Sequence, residues 1–471
     1  MVNIDHIIKY KGFDHLFYYT GPWVWWLLGI YLCLPVIAYK ILPYFNTKGT
    51  YTGKKRTISI FVLGDIGHSP RMCYHARSFS KLDYYVNLSG YVETQPPVDL
   101  LDDPNVEIHD IEPIKNNSDL PYLLFALQKL LLQLYQLFQL CLDFRGSDFI
   151  MIQNPPSIPI LLVAIIVIKI FSKNTKLIID WHNLNYTIMN LRYRNLSHPV
   201  VKLIKFYEKF LGRFADVNIT VTAQMKQFLV EEFGFKRSTI LTLHDRPAEQ
   251  FEPFENLNIT KEEVFRNHEI FGGIDNIRDY KILVTATSFT PDEDFNILLD
   301  ALVKYDSDVA LKLPPILLIV TGKGPLKQQF LAKAQNLGFT KNIVIRSGWL
   351  SSEDYPIILS MADLAVSLHT SSSGIDLPMK IVDFFGCGVP VVSLNFPAIG
   401  ELVKDGINGL VTGDNEKSLD QAGEIYRLIS KAFTNQDLLR TLKEGALVES
   451  KRRWDDNWKE VMGQRFEYES S

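Results

Sequence analysis

Residues 58–71 read Ile58-Ser59-Ile60-Phe61-Val62-Leu63-Gly64-Asp65-Ile66-Gly67-His68-Ser69-Pro70-Arg71. An apolar run of strand length feeds a glycine turn, and Ser69 with Pro70 then offers an N-cap and a first helical residue. The unit is strand, tight loop, helix start, and it recurs. In the first half, Ile58–Leu63, Tyr84–Leu88, Val106–Ile108, Phe149–Gln153, Lys176–Trp181 and Val217–Val221 each precede a helix-period segment. In the second half the runs are Lys281–Thr285, Ile316–Thr321, Ile343–Ile345, Leu364–Leu368, Val389–Leu394 and Gly409–Val411. Near-continuous apolar strands alternating with helices predict parallel sheets covered on both faces. The expectation is an α/β protein with two Rossmann-like, doubly wound domains facing a cleft. They join near His244–Phe254, with the polar stretch Glu255–Tyr280 as linker or insertion. Ligands in such folds bind beyond the carboxyl ends of the strands.

The chain has 471 residues, enough for two domains, and its 47% hydrophobic content excludes a disordered protein. The 49 Lys and Arg nearly cancel the 53 Asp and Glu, so no basic field exists to recruit nucleic acid. Cys33, Cys73, Cys141 and Cys387 are too scattered for a zinc site or disulfide framework and read as reduced thiols.

Trp23–Tyr39 carries no charge and is flanked by Trp23, Trp25 and Trp26 at one edge and Tyr44 and Phe45 beyond the other. Gly21–Leu42 matches the length that crosses a ~30 Å hydrocarbon layer. Lys40, Lys48, Lys54, Lys55 and Arg56 follow it, which predicts a single-pass signal anchor with the rest of the chain in the cytosol. Two further apolar stretches stand out. Pro121–Leu142 has a narrow polar stripe of Lys129, Gln133, Gln136 and Gln139, so it reads as a core helix or a membrane-facing one. Ile158–Ile168 is too short to span and reads as a core helix.

The loop after the first strand can receive an anion on backbone N–H groups, with Arg71 adding charge. In Ser371–Pro390, a hydroxyl-rich loop precedes a short helix begun by Pro378 and ended by Gly386 and Gly388. Lys380 lies in its first turn, where a cation opposes the helix dipole, and this points to an anionic ligand such as a diphosphate. Asp383, one turn on, suits ribose or sugar hydroxyls, and Lys323 in Thr321–Pro325 offers a second basic rim, although its glycines also suit an ordinary loop. Asp292-Glu293-Asp294 contains a D-x-D, but Thr290 and Pro291 before it make helix capping the better explanation. His75 is read as a second cation or a helix-surface residue, His369 as structural, and Glu208 as an ion-pair partner or a cleft residue.

Together these segments resemble glycosyltransferases of the GT-B fold, and more closely the chitobiosyldiphosphodolichol β-mannosyltransferase family of the endoplasmic reticulum. The resemblance is carried by GDIGHSPRMCYHA (Gly64–Ala76), QNPPSIP (Gln153–Pro159), IDWHNLNYTIM (Ile179–Met189), YEKFLGRFAD (Tyr207–Asp216), ATSFTPDEDF (Ala286–Phe295) and SSSGIDLPMKIVDFFGCGVPV (Ser371–Val391), in family order. It implies transfer of mannose from GDP-mannose to GlcNAc2-diphosphate-dolichol, forming a β-1,4 bond with inversion. The alternatives are another GT-B sugar transferase on a different lipid acceptor, or an inactive scaffold that binds lipid-linked sugar.

The resemblance also implies an organisation. Residues 1–45 are a lumenal tail and anchor, 55–250 an acceptor domain, 275–435 a nucleotide-sugar domain and 436–471 a helical tail. The donor would lie against Lys380, Lys323, Ser372, Ser373 and Gly374, with Asp383 and Glu401 on hydroxyls. The acceptor diphosphate would lie near Gly67 and Arg71, and Asp65, His182 and His68 rank in that order as the base. Retaining GT-B mannosyltransferases place a Glu eight residues before a second acid. Here Asp383 fills the second position and Ile375 the first, which agrees with inversion. No tightly bound metal is expected, though a magnesium or manganese ion riding on the donor diphosphate fits. The expected partners are the endoplasmic reticulum membrane and other transferases of the dolichol pathway, or a second copy of the chain.

Overall fold

The computed structural model describes residues 26, 29, 55–114, 121–290, 293–340, 342–413 and 420–467. The expected anchor Trp23–Tyr39 lies outside the described residues apart from Trp26 and Gly29. Among the described residues, no helix is long and apolar enough to cross a membrane.

Two sheets, parallel throughout, organise the chain. The first contains β1 (Thr57–Asp65), β2 (Tyr85–Tyr91), β3 (Val106–Asp110), β4 (Phe149–Asn154), β5 (Lys176–Trp181), β6 (Val217–Thr220) and β7 (Ile240–Thr242), in the order β3-β2-β1-β4-β5-β6-β7. The second contains β8 (Lys281–Ala286), β9 (Ile316–Thr321), β10 (Ile343–Gly348), β11 (Leu364–Ser367), β12 (Val391–Ser393) and β13 (Gly409–Val411), in the order β10-β9-β8-β11-β12-β13. Strands such as β9 are buried on both faces because helices cover both sides, and this is why their sequences are apolar without alternation. Chain order reverses beside β1 and beside β8, which opens a crevice at the carboxyl edge of each sheet. Every expected strand is present. The strand that the periodicity misses is β7, whose three residues at a sheet edge carry too little pattern.

Glu255–Tyr280 is more than a bare linker. A capping box of Thr260 and Glu263 starts helix Lys261–Asn267, and Val264, Ile270 and Phe271 bury themselves in one core cluster with Ile282 and Val284 of β8. The end of the chain also changes sides. Helix Gln436–Ser450 packs with the second half, whereas helix Trp454–Phe466 returns to the first, where Trp454, Trp458, Met462 and Phe466 join Phe79 and Tyr84 in one core.

Helix Tyr122–Asp143 buries Leu137, Cys141 and Leu142, and helix Ile160–Phe171 buries most of its length against the first sheet. Both therefore serve the core, as expected of core helices, but each also leaves an apolar stripe outside.

Candidate active site

The two carboxyl edges face one another across a cavity of about 300 Å³, whose lining includes His68, Arg71, Gln153 and His182 from the first half and Asp376 and Met379 from the second. Larger hollows of about 590 Å³ beside Arg77 and Trp454 and about 580 Å³ beside Phe295 and Phe330 do not gather strand-end loops from both sheets. The chemistry converges on the smaller space.

At the end of β1, Asp65 turns its carboxylate back on the loop. It accepts from the backbone N–H of Gly67 (3.3 Å) and Thr94 (3.2 Å) and meets His68 Nδ1 at 2.7 Å. Partial burial opposes its charge, but the donors from Thr94, His68 and Gly67 outweigh it and hold the carboxyl at about 2. Its oxygens are spent on these donors, and among the described residues it is His68, one turn on, that lines the cavity. His68 is held by Asp65 and is largely exposed at the cavity mouth. Gly67 is required by a close approach, since a Cβ there would lie 2.9 Å from Thr94 Cβ. Ser69 occupies the N-cap position of helix Pro70–Lys81, yet its hydroxyl donates to the Asp65 carbonyl at 2.9 Å instead of capping.

Arg71 is not available to a diphosphate. Its guanidinium is buried and donates to both oxygens of Asp180 (2.9 and 3.0 Å), to Asp245 (2.6 Å) and to the Leu243 carbonyl. Burial works against that charge, but the Asp180 and Asp245 carboxylates outweigh it and raise its pKa. Asp180 is likewise held far below the usual carboxylate range, its burial overridden by Arg71 and His182. His75 is neither a surface residue nor a cation. It is fully buried, accepts from Trp458 Nε1 at 3.1 Å, and burial lowers its pKa, so it stays neutral. Its Nε2 lies 3.2 Å from Asp180 Oδ2 without hydrogen-bond alignment.

His182 is what this network presents to the cavity. Its Nε2 lies 2.8 Å from Asp180 Oδ2, and its side chain is 24% exposed. With the anionic carboxylate fixing the proton on Nε2, the lone pair of Nδ1 is left to accept one. Asp180 is the functional group that motif reading missed. Its signal was a lone acid at the buried end of an apolar strand, in Ile178-Ile179-Asp180-Trp181-His182.

Across the cavity, the Ser371–Lys380 loop is built on internal hydrogen bonds. Ser371 Oγ reaches Asp376 and accepts from Gly374 N at 2.7 Å, where Gly374 turns with φ +74°. Asn183 Nδ2 bridges the halves, donating to Asp376 Oδ2 (3.0 Å) and Ser372 Oγ (3.2 Å). Ser373 Oγ lies 3.2 Å from Ser371 Oγ and 3.4 Å from Asp376. His369 stands 4.0 Å from Asp376 behind the loop, in keeping with a structural role.

Lys380 sits in the first turn of helix Met379–Gly386, and its Nζ donates to Glu293 Oε1 at 2.7 Å. Glu293 is buried and also accepts from Thr287 Oγ1 at 2.5 Å. Within the D-x-D the roles divide: Asp294 Oδ1 accepts from the Asn296 N–H at 3.0 Å, where helix Asn296–Ser307 starts, while the buried Glu293 carboxylate is spent on Lys380. Asp292 lies outside the described residues. Lys323 is exposed, with Nζ 3.9 Å from the centroid of Trp349. The glycines beside it are not punctuation, because a Cβ on Gly322 or Gly324 would lie 1.8 Å from the Thr287 or Ser288 carbonyl. They let the loops after β9 and β8 touch. Among the described residues, no three of His, Cys, Asp and Glu gather as a metal-binding group.

Three carboxylates depart from expectation. Asp383 faces Tyr355 instead of the cavity, and burial pushes it up to about 8 against the Tyr355 hydroxyl and the Lys380 charge. Glu401 ties the halves together: it accepts from the N–H groups of Ala223 and Gln224 at the start of helix Ala223–Glu231 and meets His244 Nε2 at 2.8 Å. Among the described residues, Glu208 makes no ion pair. Fully buried, it accepts from Asn154 Nδ2 (3.0 Å) and from the N–H groups of Asn185 and Tyr186, at the start of helix Asn185–Tyr193. Burial raises it to about 7 despite those donors.

Residues 268–447 match the family of glycosyl transferases group 1. The chain is 63% identical to the chitobiosyldiphosphodolichol beta-mannosyltransferase of Debaryomyces hansenii over 98% of either chain. It is 61% identical to the protein of that name in Candida albicans, covering 99% of this chain and 100% of that one. Among solved structures, a glycosyltransferase from Rickettsia africae superposes with a TM-score of 0.58 at 16% identity, over 84% of this chain and 94% of the other. That likeness speaks to the fold alone, which is GT-B-like.

Proposed function

The chain belongs to the chitobiosyldiphosphodolichol beta-mannosyltransferase family, and from that membership we propose how it transfers mannose from GDP-mannose to chitobiosyldiphosphodolichol. The observation that carries the proposal is the His182–Asp180 pair opening into a cavity whose far wall is made by Asp376, Leu377 and Met379, in the loop that leads into Lys380. An α-linked donor and a β-linked product require one in-line displacement. His182 Nδ1 takes the proton of the acceptor hydroxyl while that oxygen attacks the anomeric carbon, and the bond to the GDP oxygen breaks. Asp180 holds the ring in place and stabilises the imidazolium that forms, as a buried carboxylate does when it already carries its charge.

The leaving diphosphate is met by Lys323, which can leave the Trp349 face, and by Lys380, whose ammonium has hydrogens to spare beside the one given to Glu293. The hydroxyls of Ser372 and Ser373 complete that side, while the backbone N–H groups of Ser373 and Gly374 are given to Ser371 Oγ and shape the loop. Gly67 and exposed His68 stand on the acceptor side, while Arg71 works from behind by fixing Asp180. A divalent ion would travel with the donor, and the lysines supply the protein's own charge. We place the enzyme on the cytosolic face of the endoplasmic reticulum membrane, with Trp23–Tyr39 as anchor, on the strength of that segment and its basic flank.

Purified full-length chain incubated with labelled GDP-mannose and chitobiosyldiphosphodolichol is expected to yield a trisaccharide lipid whose new bond a β-mannosidase cleaves. An α-linked product, or transfer to neither this acceptor nor a related one, would contradict the reading.

A further inference from the structure

Helix Tyr122–Asp143 is apolar on both sides, with Leu137, Cys141 and Leu142 in the core. Its glutamines turn toward the protein, with Gln133 Nε2 donating to Tyr91 Oη (3.2 Å) and Gln136 Nε2 to the Glu112 carbonyl, while Leu131, Leu132 and Tyr135 stand outside. A helix folded against water has the opposite pattern. The neighbouring helices repeat the anomaly. Helix Ile160–Phe171 exposes Leu162, Ile166 and Ile170 on one stripe. Helix Pro199–Leu211 buries Val201, Ile204 and Leu211 on one side and exposes Leu203 (66%), Phe206 (63%) and Phe210 (47%) on the other.

These helices form one surface. Helix Tyr122–Asp143 packs on helix Ile160–Phe171, Tyr207 Oη accepts from Leu162 N, and Lys169 lies over Phe214. Helix Asn185–Tyr193 packs on helix Pro199–Leu211 and adds exposed Ile188 and Leu191. Its own start follows His182 and Asn183, so the apolar face runs up to the rim of the cavity.

The charge carried by these helices is mostly positive, with Glu232 just beyond them 3.8 Å from Lys205. The four helices carry Lys129, Lys169, Arg192, Lys202, Lys205 and Lys209, against Asp143 at one end and Glu208, which is buried. Exposed leucines and phenylalanines bordered by lysines suit an interface with acyl chains on one side and anionic headgroups around it.

We propose that the face formed by helices Tyr122–Asp143, Ile160–Phe171, Asn185–Tyr193 and Pro199–Leu211 docks into the surface of an anionic phospholipid bilayer. This contact is separate from Trp23–Tyr39, and it brings the cavity rim to the level of the headgroups. The inference rests on the reading of the acceptor as a lipid-linked diphosphate. Docked so, the acceptor's diphosphate reaches the cavity while its polyprenyl tail stays in lipid along Ile188 and Leu191.

The test uses full-length chain carrying Cys33→Ser, with a single added cysteine at Leu203→Cys, Leu131→Cys or Val309→Cys bearing an environment-sensitive fluorophore. Val309, on the second half, is 92% exposed and serves as control. The protein is reconstituted into phosphatidylcholine–phosphatidylserine vesicles with brominated acyl chains. Side chains seated ~5–10 Å into the interface lose about half or more of their fluorescence to the bromines. The expected result is that loss at positions 203 and 131, and none at 309.

Equal quenching at all three positions, or none at 203 and 131, would overturn the proposal. So would protection of 203 and 131 that grows with protein concentration, since a second copy would then cover the face. A second variant, Leu203→Ser/Phe206→Ser/Phe210→Ser, is expected to lose about tenfold or more in transfer to acceptor held in vesicles, since burial of even one such side chain is worth roughly that factor. It should keep its rate on a short-chain acceptor in detergent; an equal loss on both acceptors would count against docking. Quenching requires no turnover, so a chain that is quenched yet transfers nothing refutes the function, and one that transfers yet is not quenched refutes the docking.

Discussion

The two edges of the cavity handle charge in opposite ways. On the first half, Arg71 partners both Asp180 and Asp245 in a buried set, and His182 extends that set to the cavity. On the second half, Lys323 is exposed against the Trp349 ring and Lys380 is partly exposed beside buried Glu293. A buried ion set is expensive to disturb and fixes geometry, whereas Lys323 can exchange a ring face for a phosphate and Lys380 can turn a second ammonium hydrogen to one while keeping Glu293. The contrast assigns proton handling to one side and anion binding to the other. It also explains why an arginine beside a glycine loop misled the motif reading: what matters is whether a cation's charge is already taken.

The strongest way to break this comparison is Arg71→Met. If Arg71 is internal structure, two buried carboxylates are left unmatched and the unfolding free energy falls by about 3–5 kcal/mol in urea titration. A variant of unchanged stability that has lost acceptor binding would show instead that Arg71 is a ligand.

A second test concerns the buried acid behind the first edge. Glu208 is raised from its ordinary value to about 7, so the folded chain binds its proton more tightly than the unfolded chain does. Stability from this group is present below its unfolded pKa and declines as pH rises toward about 7, by a total on the order of 3 kcal/mol. Glu208→Gln, which keeps an acceptor for Asn154 Nδ2 and the Asn185 N–H but loses the one that faces the Tyr186 N–H, is expected to flatten the stability profile between pH 5 and pH 7, roughly the window of that titration. A slope that persists unchanged in the variant would place the titration elsewhere.

The smallest effect belongs to the second edge. Lys323→Gln removes an exposed cation from the face of Trp349, worth about 0.5–1 kcal/mol, and should raise the KM for donor by roughly two- to fivefold with kcat intact. A loss of kcat there would blur the division between the edges.

Much of this was legible in the sequence. The parallel sheets followed from apolar runs that never alternate, and the loops after β1, β5 and β11 were singled out because strand ends must hold the site. Lys380 was found because a cation in the first turn of a helix is locally unfavourable. What the sequence did not reveal depends on contacts between distant segments. Arg71 is silenced by Asp180 and Asp245, more than a hundred positions away, and Glu293 looked like a helix cap until Lys380 was seen beside it. Asp383 and Glu401 were assigned to ligand because their spacing fits, but one faces Tyr355 and the other caps a helix of the opposite half. The outward apolar stripes, by contrast, were visible only as surplus hydrophobicity. Which side they faced required the fold.

The division of labour is tested most directly by measuring GDP affinity and the single-turnover rate in two variants, His182→Ala and Lys380→Ala. The account predicts that His182→Ala loses ~10²–10⁴-fold in rate while binding GDP as the wild type does. Lys380→Ala should weaken GDP binding by roughly 10–100-fold, the value of a charge-assisted hydrogen bond. If His182→Ala weakens GDP binding and turns over normally once saturated, or if both variants lose the same quantity, the assignment of base and anion site to opposite edges is wrong.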